Sequence, residues 1–507
     1  MNNSHTGLRV LHKSIIAALG VGFCTSAFSA SWLCTNTDDW NNSACWSTPT
    51  IPGATETALI QAPAATDIVI NYNNSTTPTE TLAEIVIDAE AGGTATLIRN
   101  DNFALNSSDV FIGQRGAGVS SVIHNAGSSE FGIGSLGASA GSTGYYELNG
   151  TASLQWQTLQ LGVFGSGEFV QSGGNHVVNG DFQIGGAGIP SHSATSSGHY
   201  TLNGGTLTAN GVEDVGRWGS GVFTQNGGTH NVRLLHISRK AGDGLYEMND
   251  GVLSVTERLE VGTIPASNGV FVQNGGSVTV GGSTLISANG HAVGSYQLNG
   301  GTLQTSEVRN NRTFIHTGGQ LIGDLENYDQ AVFAGAGTRL IQGSVTNHGQ
   351  TDFDQPPFGI RTANSSITLS EGTTLQISDN LTLNDLGSFT LELGGDSFGL
   401  DNFVQVGGLA NLGGTLELDI FNDFLAEDGD SWTLFSASNI SGLFSEALLN
   451  ENFVDLQFSL SYTATSVDLI ASSVAPVPVP AAVWLFGTGL AGIVTVSRRG
   501  RKSKSAA

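Results

Sequence analysis

Tyr146-Glu147-Leu148-Asn149-Gly150 is followed 23 residues later by Phe169-Val170-Gln171-Ser172-Gly173-Gly174. The first phrase returns as Tyr200-Thr201-Leu202-Asn203-Gly204, Tyr246-Glu247-Met248-Asn249-Asp250-Gly251 and Tyr296-Gln297-Leu298-Asn299-Gly300. The second returns as Phe223-Thr224-Gln225-Asn226-Gly227-Gly228 and Phe271-Val272-Gln273-Asn274-Gly275-Gly276, with a degenerate copy at Phe314-Ile315-His316-Thr317-Gly318-Gly319. The tyrosines are 54, 46 and 50 residues apart, and each Phe trails its Tyr by 23, 23, 25 or 18. The unit is therefore about half of fifty residues and alternates between two flavours.

A fixed period of this size marks a solenoid or a propeller. A four-stranded propeller blade needs about 40 residues or more. A unit in the low twenties suits one coil of a parallel β-helix, short strands joined by glycine-rich corners. Phe111-Ile112-Gly113, Leu161-Gly162, Ile184-Gly185, Val215-Gly216 and Val261-Gly262 add strands that end in glycine at similar steps, with one long step through the Pro190 loop. Alternation within each strand predicts Phe and Val, or Tyr and Leu, inside, and Thr and Gln outside. Asn-Gly corners predict left-handed backbone at the turns. The fold expected is all-β: a right-handed parallel β-helix of glycine-rich coils, with β end regions and one C-terminal transmembrane helix.

The expected organisation is a signal peptide over 1–29, an N-terminal β cap over 30–105, coils over 106–325, a C-terminal β region over 326–472 and a sorting signal over 473–507. Arg9 and Lys13 precede the apolar run Ile15–Phe23, and Ala27-Phe28-Ser29 offers a cut before Ala30, the pattern that signal peptidase reads. Phe23 stands where lipoprotein processing at Cys24 needs a small residue. Cleavage leaves Cys34 and Cys45, and an oxidising compartment predicts a disulfide between them; two free buried thiols are the other reading.

Charge excludes some functions. Seven of the 18 basic residues lie in the two end segments, which leaves the body eleven against all 43 acids, a formal −32. Such a body repels nucleic acid and anionic lipid. Among chemical motifs, Gly137-Ala138-Ser139-Ala140-Gly141 matches a hydrolase elbow but has no helix pattern after it. Gly487-Thr488-Gly489-Leu490-Ala491-Gly492 lies inside the apolar tail, where small residues permit close helix contact. Asp419, Asp423, Glu427, Asp428 and Asp430 offer oxygen ligands for calcium without a fixed register. The scattered histidines, His124, His176, His192, His199, His230, His236, His291, His316 and His348, show no metal spacing and are expected on surface corners. No catalytic or cofactor residue is assigned, and the chain is not expected to be an enzyme. The rival reading is a β-helix polysaccharide lyase or hydrolase, for which Arg239, Lys240, Asp243 and Glu247 are the nearest candidates.

The C-terminus carries Val477-Pro478-Val479-Pro480-Ala481-Ala482, then Trp484-Leu485-Phe486-Gly487-Thr488-Gly489-Leu490 within an apolar run to Val496, then Arg498, Arg499 and Arg501. That run is long enough to span a bilayer, and the basic cluster would stay cytoplasmic. Motif, apolar segment and basic tail together resemble the PEP-CTERM sorting signal, with Val479 in place of the name-giving glutamate. The resemblance implies recognition by an exosortase in the inner membrane of a Gram-negative bacterium. It also implies release or display at the cell surface or in an exopolysaccharide or biofilm matrix. Asp38-Asp39-Trp40 with Cys45-Trp46, residues 402–418 and Gly429–Phe435 resemble autotransporter passenger repeats. The function expected is an exported structural or adhesive protein.

Overall fold

The structure, a computed structural model, describes residues 29–73, 79–186, 196–354, 359–394, 403–421, 426–450 and 456–474. Strand is the dominant element among those residues, and their only helical piece is a 3-10 turn at Ser43–Cys45. Two long parallel sheets run side by side, and the chain alternates between them coil after coil. In the first sheet, Thr143–Leu148 pairs with Ser166–Gln171, which pairs with Ser197–Leu202, then Ser220–Gln225, Asp243–Met248, Asn268–Gln273 and Val293–Leu298. In the second, Ser153–Leu161 pairs with both Asn175–Val178 and Phe182–Ile184. The break at residues 179–181 bends the strand, so each coil has three straight runs around one apolar core.

The two sequence phrases occupy one register position. Tyr146, Phe169, Tyr200, Phe223, Tyr246, Phe271 and Tyr296 follow one another as Cα partners, then Phe314. The first six contacts are stacked, with centroids 4.6–5.0 Å apart and planes within 11°. The strand spacing of about 4.8 Å sets that separation, and each offset pair adds about 0.5–1.5 kcal/mol beyond burial. At Phe314 the contact opens to 6.2 Å and tilts to 41°, where the coil has shortened.

Two residues further along each strand, the alternation differs from expectation. Gln171, Gln225 and Gln273 are fully buried, whereas Val170 and Val272 are half-exposed on the outer face. The glutamines point inward because the tyrosine of the next coil needs an acceptor. Tyr200 donates to Gln171 Oε1 (2.5 Å), Tyr246 to Gln225 (2.6 Å) and Tyr296 to Gln273 (2.6 Å). Each glutamine Nε2 in turn donates to a corner carbonyl of the next coil, Thr206, Val252 or Thr302, at 3.0 Å. The two flavours thus form a donor coil and an acceptor coil.

The corner asparagines are also placed differently. They do not take the left-handed backbone; the glycines after them do, such as Gly205 at φ 79°. Instead the side chains form a ladder: Asn226 to Asn203, Asn249 to Asn226, Asn274 to Asn249 and Asn299 to Asn274, at 2.9–3.0 Å. At the strand-ending glycines close approach is absolute. A Cβ on Gly162, itself at φ 67°, would sit 2.0 Å from the Ser197 carbonyl oxygen.

Parallel pairing extends beyond the spelled repeats. The boundaries expected at 105/106 and 325/326 fall inside the strands Ala104–Ile112 and Gln320–Asn327, and both pair in parallel with a neighbour on each side. At the N-terminal end Ser29–Ser31 pairs with Thr57–Leu59. There Trp32, Trp40 and Trp46 pack edge-on with centroids 4.9–5.0 Å apart, and Cys34 is bonded to Cys45. At the other end Ser466–Ser473 turns antiparallel against Ser431–Gly442 and Leu456–Tyr462. Among the described residues no helix is long and apolar enough to cross a membrane; the expected transmembrane segment and the signal peptide lie outside them, apart from Ser29.

One hairpin leaves the column. Gln350–Asp354 and Ile360–Asn364 pair antiparallel and fold back on earlier coils. Arg361 donates to the Gly290 carbonyl (2.9 Å) and is ion-paired with Asp329, and His291 Nε2 meets the Phe353 carbonyl (2.8 Å). The coil after Tyr296 turns its corner on Asn311-Arg312 alone, against six residues one coil earlier. The hairpin covers the shelf that this narrowing leaves.

Candidate functional site

The outward row on the last run of the second sheet carries the chemistry. Gln160, Gln183, Asp214, His236 and Glu260 are successive Cα partners. Parallel in-register pairing brings residues 22 and 24 apart in sequence onto neighbouring strands. His236 Nδ1 lies 2.9 Å from Asp214 Oδ1 and its Nε2 lies 3.5 Å from Glu260 Oε2. His236 thus stands between carboxylates on the two neighbouring strands. All three side chains are nearly buried, at 7%, 2% and 10% exposure.

Arginines flank the row. Arg239 Nη1 is 3.3 Å and Arg217 Nε 3.7 Å from the same oxygen, Asp214 Oδ2. Arg258 Nη2 is 2.9 Å from Glu260 Oε1. Arg217 and Arg239 follow Gly216 and Ser238, the corner positions after the paired strand ends Val215 and Ile237. The partly exposed Lys240 follows Arg239. Asp243 and Glu247, the acids near Arg239 in sequence, are not its partners; the preceding coil supplies Asp214 instead. With both imidazole nitrogens engaged and the ring covered, the row is suited to holding arginines in place rather than to exchanging protons with a substrate.

The histidines depart most from expectation. His124, His176, His230, His236 and His316 are buried rather than on surface corners. His176 and His230 lie flat on Phe169 and Phe223, with centroids 4.6 and 4.8 Å apart, and their Nδ1 atoms reach Tyr200 and Tyr246 at 2.8 and 3.0 Å. Burial drives His176 down to about 3, with His230 adding to the effect. At His230, Glu213 Oε2 lies 2.9 Å from Nε2, with both side chains fully buried. Tyr246 donates to Gln225, so His230 Nδ1 must donate to Tyr246.

His124 takes the glutamine's place below Tyr146, with Nδ1 2.9 Å from its hydroxyl. Its Nε2 accepts from the fully buried Arg99 at 2.9 Å. Desolvation first and Arg99 second press His124 to about 3, and desolvation lowers Arg99 as well.

Of the residues singled out in sequence, Cys34 and Cys45 are joined, with Cα atoms 5.0 Å apart. Val477, Pro478, Val479, Pro480, Ala481, Ala482, Trp484, Arg498, Arg499 and Arg501 lie outside the described residues. Ser139 of the elbow-like motif sits in a corner and donates to the Gln114 carbonyl. In the acidic C-terminal loop, Asp428 accepts from the Ser473 amide (2.7 Å) and Asp430 from the Glu427 amide (2.7 Å), so both carboxylates tie the loop down. Asp423 lies outside the described residues. The only described grouping of three potential metal-ligand atoms is Cys34, Asp38 and Cys45, and its two sulfurs are bonded to each other.

The Asp214–His236–Glu260 row went unrecognised in the sequence. Its signal is positional: each member stands two residues before the corner position, as in Asp214-Val215-Gly216, His236-Ile237-Ser238 and Glu260-Val261-Gly262. Comparison with protein-family models, with curated proteins and with solved structures finds no match.

Proposed function

We propose that the chain is an exported structural or adhesive protein of the bacterial surface or matrix. Its C-terminal PEP-CTERM-like segment, Val477–Ala482 with the basic tail Arg498–Arg501, would be handled by an exosortase-type enzyme. The observation that carries this reading is the Cys34–Cys45 bond in the tryptophan cap, because disulfides persist in oxidising compartments. A column stiffened by stacked rings and an asparagine ladder fits a displayed scaffold. Residues 477–496 then form the transmembrane helix, and the coils wind right-handed, as β-crossover-β connections in one sheet almost always do. Exopolysaccharide is the partner that the resemblance implies.

The test compares the full chain with one ending before Pro476. The full chain should reach the surface or medium with a mature mass lacking the tail, and the shortened chain should be missorted. Uncut polypeptide retained in the cytosol would refute the reading. A polysaccharide lyase or hydrolase is the second reading; the arginines beside the Asp214–His236–Glu260 row suit an acidic glycan, although the covered row itself is built for positioning. It requires chain scission of an acidic glycan that is lost in Glu260→Gln.

A further inference from the structure

Five of the eleven basic residues of the body, Arg217, Arg233, Arg239, Lys240 and Arg258, fall within 42 residues of a chain dominated by acids. Register places them on consecutive coils. Arg233 is matched one-to-one with Glu257 at 2.7 Å. The other four are not matched in that way. Asp214 alone faces Arg217, Arg239 and His236, and Glu260 faces Arg258 and His236. Both carboxylates are nearly buried, whereas Arg217, Arg239 and Arg258 are 24%, 37% and 52% exposed. The negative charge is therefore at the floor and the positive charge at the surface, in excess.

We propose that this rim is a binding site for an acidic polysaccharide whose sugars carry carboxylates. The inference rests on the adhesive reading above and names the site and ligand class for it. Arg217 and Arg239 occupy equivalent corners one coil apart, and coils recur every 4.8 Å or so. A linear polysaccharide advances by about that distance per ring, so a chain lying along the column meets one guanidinium per sugar. Arginine suits the task because its planar fork gives paired hydrogen bonds to a carboxylate. Asp214, held by His236, fixes the positions of Arg217 and Arg239. The acids elsewhere on the column repel a polyanion, which confines it to this rim.

The test measures binding of polygalacturonate, with neutral dextran as comparison, to the full chain in mild detergent. Polygalacturonate should bind and weaken with rising salt. Arg217→Gln with Arg239→Gln should weaken it roughly tenfold or more. Lys240→Gln and Arg258→Gln should each weaken it by a smaller factor. Arg309→Gln, on the same facet two coils away, should leave it unchanged. Thermal melts check that each variant is folded; if the double variant is not, Lys240→Gln and Arg258→Gln decide the matter. Equal losses in Arg309→Gln, or no loss in the rim variants, would overturn the site. Binding of dextran alone would overturn the ligand class while leaving an adhesive role. Binding of neither polymer by a chain that is still exported and processed would overturn the inference and leave the sorting intact.

Discussion

The phenol of Tyr246 donates to Oε1 of Gln225 in the coil below, across 2.6 Å, while His230 Nδ1 approaches it at 3.0 Å. One hydroxyl thus joins two successive coils inside the apolar core. Gln225→Leu leaves that hydroxyl proton without an acceptor and should cost about 1–3 kcal/mol. Tyr246→Phe should cost a similar amount through Gln225. The double variant should cost less than the sum, since both polar partners are gone. Urea melts of the four proteins give the coupling; strict additivity would show that the bond is energetically idle.

Donor and acceptor coils make chain deletions predictable. Removing 197–242 takes out one coil of each kind and sets Tyr246 above Gln171. Removing 197–219 takes out a donor coil only, and Phe223 then follows Phe169 with Gln171 left unbonded. The larger deletion should therefore melt at the higher temperature, although it removes twice as much chain. The opposite order would mean that the alternation carries no energetic weight.

Acid should loosen the column. His124 and His176 are pressed to about 3 and His316 to about 4, mainly by burial, against 6.5 for an exposed imidazole. The unfolded chain takes up these protons first as pH falls. Stability is thus full above about 6.5 and declines towards 4, by ~1.4 kcal/mol per pH unit for each group. Denaturant midpoints at pH 7, 6 and 5 check the slope; a flat profile would contradict the burial of these rings.

The cap should depend on its covalent tie. Cys34→Ser with Cys45→Ser opens a short loop and should destabilise the N-terminal coils by about 2–3 kcal/mol in the loop-entropy model. Tryptophan fluorescence from Trp32, Trp40 and Trp46 should change before the strand signal at 218 nm or thereabouts does. Simultaneous loss of both signals would place the cap in the same cooperative unit as the coils.

The coil length and the Tyr/Phe column were legible because stacking demands rings at one register position, and rings spell a recognisable phrase. The same position holds Ile70, Leu97 and Val122 before the phrase, and Ala331, Ile367, Phe389 and Leu416 after it. Different apolar side chains fill that position in those coils, so no phrase announces them. Gln171 and its counterparts were misplaced because polarity suggests an outward direction. The reason for their burial, the next coil's phenol, lies 21 to 29 residues away in the chain. His230 was misplaced for the same reason, its partner Glu213 sitting on a neighbouring strand. The hairpin at 350–364 was not foreseen because it answers a local shortening rather than a pattern.

The in-register pairing of the first sheet also acts as a measure of distance. Its seventeen strands among the described residues, about 4.8 Å apart, set the tips of the pile about 75 Å from one another. Gaining or losing a pair of coils would alter that reach in even increments while leaving the girth untouched. A lineage holding such a gene would tune the span of the molecule by duplication alone, with no new contact to invent.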